Sequence, residues 1–272
     1  LDKISRAAVL VAGDFRTWPR ASQYIFDYVD DICQQADYYF ATWSTTRDYW
    51  YPQMHSEKTQ RNVTDHDIKT KFIENNKTLI NFVIVTDRPA VFYGTNYLQS
   101  YLANRANLLK RRYELDNGFV YDQVLEIRPD LYIYDSNKEN ITNLKDFELL
   151  MDVTRDVLVP GSQLFPEAID FYYRTNSLTS DIMCNRFFYQ KSLHVEFYRT
   201  QYDHWPLPIH NHTILADYVL VRRLHSIANQ DSFQQIVIRP NFPPGDLRTI
   251  PYEELWELQR QFLDYTRSLP RE

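Results

Sequence analysis

Two charged residues flank a proline at Arg128-Pro129-Asp130, directly after the apolar residues Val124, Leu125 and Ile127. The apolar run reads as a buried strand, and Pro129, having no N–H, stops its ladder or moves it to an edge. An acid and a base therefore stand at the carboxyl end of a core strand, where open α/β sheets bind ligands. A carboxylate there can hold a hard metal ion, and a guanidinium can grip a phosphate fork to fork. Asp130 is thus the first candidate for a metal or a diphosphate. A simple strand-end ion pair with Arg128 would use the same residues. A second candidate loop, Gly13-Asp14-Phe15-Arg16, follows the apolar run from Ala7 to Ala12. Gly13 lets a ligand come close to the backbone, and Arg16 can pair with a diphosphate. The Gly-x-Gly-x-x-Gly spacing of a dinucleotide site is missing, and an ordinary strand-to-helix turn would look the same.

Further candidates are spread along the chain. Ser180-Asp181 reads as a helix start, where Asp181 is either an N-cap or a general base. Glu167 and Asp170 compete for the base role. His204, His210 and His212 crowd a Pro-rich loop, and Asp217 follows them. A His-x-His pair such as His210 and His212 can chelate a metal, but structural sites need further ligands. Trp43, Trp50 and Tyr51, with Arg47 and Asp48 among them, offer flat faces for a sugar or anchors for a loop. Asn104 and Arg105 can reach a ligand from a long helix, or form a solvated face. Lys110, Arg111 and Arg112 read as a basic helix end that suits the macrodipole. Asp135 reads as a turn residue before Ser136-Asn137.

The elements that must position these groups follow from hydrophobic period and turn residues. Strands are expected at 7–12, 37–43 and 79–85, then in the block around 121–134. Helices are expected at 20–35, 65–74 and 95–115, the last closed by Asn117-Gly118. Residues 44–62 read as a long loop. In the second half, strands are expected at 157–159 and 236–238, and helices at 181–189, 213–227 and 252–266. Strand and helix alternate, so the expected class is α/β, a Rossmann-like, mainly parallel sheet with flanking helices. No linker, repeat or low-complexity tract divides residues 1–272, and a single domain is expected.

Bulk properties narrow the classes. The 272 residues are 44% hydrophobic and carry a net charge of −6. That charge argues against a broad nucleic-acid surface. With a mean hydropathy of −0.51 and no run of eighteen apolar residues, no membrane span is expected. Two cysteines make neither a disulfide framework nor a zinc site and fit a reducing compartment. No signal peptide is visible, although the start at Leu1 leaves room for a trimmed upstream segment. The sequons at Asn62, Asn76, Asn140 and Asn211 would be acceptors only in a secretory lumen. Tyrosine is abundant, at 21 residues beside only 5 glycines. Tyrosine suits sugar-binding clefts, and it also packs cores.

The order of parts resembles a known group. A first strand ends in Gly13-x-x-Arg16 and a second in Ala41-Thr42-Trp43. A long helix runs from Tyr97-Leu98 to Tyr113-Glu114. Then comes Gly118-Phe-x-Tyr-Asp-x-Val-Leu-x-x-Arg-Pro-Asp-Leu131. Together, over roughly residues 7 to 190, these resemble GT-A-fold glycosyltransferase-like proteins of bacteria and of large DNA viruses of algae, the chlorovirus type. The Tyr121-Asp122 to Asp130 block is the specific part of that resemblance.

The resemblance implies a GT-A-like glycosyltransferase, a hexosyl- or pentosyltransferase. Residues 1–135 would bind the nucleotide-sugar, and 136–272 would face the acceptor. The donor would be a UDP-sugar, UDP-xylose being one form, and the acceptor an oligosaccharide or glycoprotein. The cofactor would be a divalent metal, Mn2+, held by Asp130 and a late histidine, His212. Gly13, Arg16, Arg105 and Arg128 would contact the donor, with Asp181 as base of an inverting transfer. The compartment would be the cytoplasm, the host's for a viral protein, or a secretory lumen if an anchor was trimmed. One departure matters: GT-A enzymes carry Asp-x-Asp, and here arginine replaces the first aspartate. A guanidinium can neutralise a leaving diphosphate without a metal. The alternatives are a non-catalytic glycan-binding protein on the same fold and, third, a metal phosphoesterase using Asp130 and the late histidines.

Overall fold

The computed structural model describes residues 3–47, 60–87, 95–134, 144–154, 167–188, 222, 225–228, 234–238 and 242–268. Strand β1 (Ile4–Ala12) is buried continuously from Ala7 onward. Such a run belongs to a central strand covered on both faces. Helix α1 (Trp18–Ile32) has a proline in its first turn, where the missing N–H costs nothing. The chain becomes extended at Cys33, so α1 ends, and β2 (Cys33–Trp43) begins, earlier than the sequence pattern suggests. The ends of the stretch expected as a loop form a ribbon, β3 (Thr45–Arg47) against β4 (Gln60–Asn62). A capping box between Thr64 and Asp67 starts α2 (Asp65–Glu74). Strand β5 (Thr78–Val85) and helix α3 (Thr95–Asn117) follow. Gly118, at φ 66°, takes the left-handed position just past α3.

The block around Arg128-Pro129-Asp130 splits into β6 (Gln123–Ile127) and β7 (Leu131–Tyr134). Beyond it come β8 (Glu148–Thr154), β9 (Glu167–Thr175), α4 (Ser177–Cys184), β10 (His225–Ala228), β11 (Gln234–Val237) and α5 (Tyr252–Ser268). Two expectations are corrected here. Residues 225–227 belong to a strand, not to the end of a 213–227 helix, because they pair in parallel with β8. The helix expected at 181–189 starts at Ser177, capped by Asn176, whose side chain accepts from the Thr179 N–H. The expected strand at 157–159 lies outside the described residues.

Seven of these strands form one sheet in the order β10-β8-β9-β6-β1-β2-β5. β9 runs antiparallel to both of its neighbours, β6 and β8. The pairs β1–β2, β1–β6, β2–β5 and β8–β10 are parallel. The mainly parallel α/β sheet expected from the sequence is therefore present. One face carries Val9, Val11 and Phe40 against Trp18, Ile25, Phe26 and Val29 of α1 and Phe72 of α2. The other carries Ala8, Leu10 and Tyr39 against Leu102, Ala103 and Ala106 of α3. The small alanines on both sides of that second interface let the helix approach the sheet closely. Near the carboxyl terminus, Ile238, Phe242, Leu247 and Leu255 pack on Ala21, Tyr24 and Tyr132. Arg20 ties α1 to the same segment by donating to the carbonyls of Phe242 and Pro243. No described helix is long and apolar enough to cross a membrane.

Candidate ligand site at the carboxyl edge of the sheet

From β1 the chain steps to β2 and on to β5, all to one side, and then returns past β1 to β6 on the other. The helices change faces with it, since α1 packs on one face and α3 on the other. That reversal is a topological switch point, and ligands of open α/β sheets bind in the crevice outside the strand ends there. The loops at the switch are those after β1 and β6, which are the two candidate loops read from the sequence.

The two loops meet. Arg16 Nη2 donates to Asp130 Oδ2 at 3.1 Å. Arg128 donates through Nε to Oδ1 at 2.9 Å and through Nη2 to Oδ2 at 2.7 Å. The Asp130 main-chain oxygen accepts from the Ile238 N–H at 2.8 Å. Asp130 is 2% exposed. Its carboxylate thus lies beneath two guanidiniums and a returning carboxyl-terminal segment. Asp14 holds the first loop in shape, accepting from the Arg16 N–H at 3.2 Å and from the Thr46 hydroxyl of β3.

Gly13 has a different reason from the one expected. Its φ is +151°, and a Cβ there would stand 2.6 Å from Pro129 Cδ and 3.0 Å from Gln99 Oε1. The space beside it is filled by protein, so the glycine allows the ends of β1 and β6 to close together. Gln99 completes the seam by donating from Nε2 to the Ala12 carbonyl at 2.5 Å.

Other candidates fall elsewhere. Asp181 is in the second turn of α4, not at its start, so it does not feel the full helix N-terminus. It accepts from Asn107 Nδ2 at 2.8 Å and Lys110 Nζ at 3.2 Å, and pairs with Arg111 at 3.4 Å. Lys110 stands about 16 Å along α3 from Gln99, at about 1.5 Å per residue. The structure therefore does not bring Asp181 to the Arg16–Asp130–Arg128 cluster. Lys110 is also corrected: it is 0% exposed and bonds Ser177 and Asp181 across to α4 rather than decorating a helix end. Asn104 is buried and donates to the Cys184 carbonyl, so it anchors α4 and not a ligand. Arg105 is exposed on α3, about 9 Å further along the helix than Gln99. Trp43 is buried and stacks on Tyr101, centroids 5.9 Å apart, which makes it core and not a sugar platform. Many tyrosines share that fate: Tyr38, Tyr39, Tyr121, Tyr172 and Tyr173 are fully buried. Glu167 and Asp170 lie on β9. Trp50, Tyr51, Asp48, Asp135, His204, His210, His212 and Asp217 lie outside the described residues.

Sequence reading passed over Gln99, Thr46 and the pair Glu126–Arg186. Arg186 is buried and donates from Nη1 to Glu126 Oε2 and to the Met183 carbonyl, each at 3.0 Å, which pins α4 to β6. A charged residue between the apolar Leu125 and Ile127 of β6 was the available signal.

The metal that the resemblance implies would need free oxygen donors at Asp130. Both carboxylate oxygens and the carbonyl of Asp130 are already acceptors. No group of three His, Cys, Asp or Glu able to hold a metal ion occurs among the described residues. A divalent cation would also meet two adjacent positive charges. The described part of the site does not fit a metal.

No protein-family model matches the chain, and no curated protein matches it in sequence. Among solved structures, the chain is similar to the galactosyltransferase LgtC in complex with donor and acceptor sugar analogues. The identity is 11% and the TM-score 0.45, over 94% of this chain and 95% of that one. It is also similar to a glycosyltransferase involved in the glycosylation of the major capsid of PBCV-1. There the identity is 8% and the TM-score 0.36, over 83% of this chain and 82% of that one.

Proposed function

We propose that the protein is a glycosyltransferase that moves one sugar from a nucleotide-sugar, a UDP-sugar, to a hydroxyl of an oligosaccharide or glycoprotein. The observation that carries the reading is the Arg16–Asp130–Arg128 cluster at the β1/β6 switch point. Two guanidiniums at that position suit a diphosphate. The motif-level resemblance supplies the sugar. On this reading residues 1–272 act as one domain, with about 1–135 holding the donor and 136–272 facing the acceptor.

In the transfer, the acceptor oxygen bonds to the anomeric carbon as the bond from that carbon to the diphosphate breaks. The bonding pair leaves with the diphosphate. Arg16 and Arg128 stabilise that developing charge, and prealigned donors at such a position contribute most where water is excluded. The acceptor proton passes to solvent or to the diphosphate. Asp181 has no part in the scheme, because its ion pairs are on the far stretch of α3, and the inverting outcome loses the residue that motivated it.

The test is a calorimetric panel of UDP, GDP and ADP, followed by product analysis with UDP-sugars and a glycan acceptor. Saturable binding of one nucleoside diphosphate, competing with donor turnover, supports the reading. Binding of glycan alone, without nucleotide binding or turnover, would replace it with the glycan-binding alternative. Release of phosphate from simple esters would favour the phosphoesterase.

A further inference from the structure

We infer that Asp130 is not a metal ligand but the positioning residue of a two-arginine phosphate clamp, and that the site binds its nucleoside diphosphate without a divalent cation. This rests on the reading of the site as a nucleotide-sugar site.

The layering of the cluster carries the inference. The Asp130 side chain is 3% exposed, whereas those of Arg16 and Arg128 are 13% and 11% exposed. The carboxylate is therefore the inner member and the guanidiniums are the outer ones. A metal ligand needs the opposite order, with oxygen lone pairs directed at the ligand space. To reach a metal, Asp130 would have to give up three charge-assisted bonds and leave two partly buried cations without it. Its main-chain oxygen is held by Ile238 as well, so the residue cannot swing as a unit.

The bonds also explain what the carboxylate does. Arg128 meets Asp130 through Nε and Nη2, a planar fork that fixes the orientation of the guanidinium. Arg16 is fixed twice, by Asp130 at its head and by Asp14 at its backbone. Side chains locked before binding lose less freedom when a ligand arrives. The clamp brings one arginine from each of the loops after β1 and β6, the two that flank the switch point. It supplies positive charge where the resemblance would have put a metal ion.

The experiment is titration of the full chain with UDP by calorimetry, in excess EDTA and in millimolar Mn2+. Mn2+ binding is followed separately by the paramagnetic resonance signal of the free ion. The expected result is the same Kd in both conditions, within about twofold, and no loss of free Mn2+ signal beyond that caused by UDP alone. Arg16→Lys and Arg128→Lys should each weaken UDP by about tenfold or more, since an ammonium cannot reproduce the planar fork. Asp130→Asn, which keeps the shape and one acceptor oxygen, should weaken UDP while leaving the Mn2+ signal unchanged. UDP binding that requires Mn2+, with the requirement lost in Asp130→Asn, overturns the inference and leaves the donor reading standing. Lysine variants that bind like wild type overturn the clamp. If UDP, GDP and ADP all fail to bind in either condition, the donor reading and the inference fall together. The wild-type titrations alone decide the metal question, whatever the stability of the variants.

Discussion

Substituting Gly13 by alanine should be among the most damaging small changes in the chain, and its cost divides into two parts. The added Cβ would stand 2.6 Å from Pro129 Cδ and 3.1 Å from its Cγ, well inside contact distance. Overpacking of this kind costs about 1–3 kcal/mol. The backbone at φ +151° is a conformation L-residues rarely adopt, and such strain costs about 1–3 kcal/mol. Gly13→Ala should therefore destabilise by about 2–6 kcal/mol. Pro129→Ala removes Cγ and Cδ but leaves the φ strain, so the double variant should recover the steric part only. The assay is urea unfolding of wild type, both single variants and the double variant, read as a double-mutant cycle. A coupling of about 1–3 kcal/mol in the rescuing direction is expected. A cost for Gly13→Ala below about 1 kcal/mol, or a coupling of zero, would refute the idea that Gly13 exists to admit Pro129. UDP titration of the double variant adds a second readout, because Pro129 sits between the two residues that form the Arg128–Asp130 fork.

Asp181→Asn should keep UDP binding and turnover within about twofold of wild type while lowering stability by about 1–3 kcal/mol, since buried Lys110 loses a charged partner. A fall in turnover of about 10²-fold or more, the scale of a lost general base, at unchanged stability would restore Asp181 to the chemistry. Cys33 and Cys184 are free and buried. Burial pushes the Cys33 thiol up to about 12 and raises that of Cys184 as well. Native protein at pH 8 should then react slowly with a thiol reagent, both groups appearing on unfolding. The sign follows from the raised folded value. The contribution is fully present below the unfolded thiol value of about 8.5, and stability falls as pH rises from there towards about 12. An unfolding midpoint that is flat between pH 8.5 and the onset of tyrosine ionisation, about 10, would contradict this.

The strands with unbroken apolar runs were legible in the sequence, because a central parallel strand is apolar on both faces. So was the end of α3, where Asn117-Gly118 marks a left-handed cap. β8 and β9 were not legible, since Glu148–Thr154 and Glu167–Thr175 interleave charges with apolar and aromatic residues and follow neither period. The start of α4 was misplaced because Asn176, Ser177, Thr179, Ser180 and Asp181 are all good capping residues, and only the hydrogen bonds distinguish among them. Lys110 was misread as one of three like basics. Its spacing from Ala103, Ala106 and Glu114 is that of the face packed on the sheet and α4, a signal the helical period did contain. For the site, both candidate loops were legible as strand ends. Their meeting was not, because it depends on β6 returning beside β1 instead of extending the sheet beyond β5. For the same reason the freedom of Gly13 could be read, but not that Pro129 fills the space beside it.

The bond from Ile238 to the Asp130 carbonyl sets an order of events during synthesis. Arg16 precedes its carboxylate partner by 114 positions, and Ile238 follows Asp130 by a stretch of similar length. At about 5–20 residues per second, the loop after β1 waits seconds for β6, and β6 then waits as long again for the chain to return. Contacts so far apart form late, because loop-closure entropy must be overcome before they are rewarded. The strands around β1 can assemble from the amino-terminal half, while the bond between Ile238 and the Asp130 carbonyl waits for the later half of the chain. A chain interrupted before residue 238 would keep much of the apolar sheet and lack the Ile238 N–H that Asp130 accepts from, so the shape of the site depends on chain far beyond its own loops.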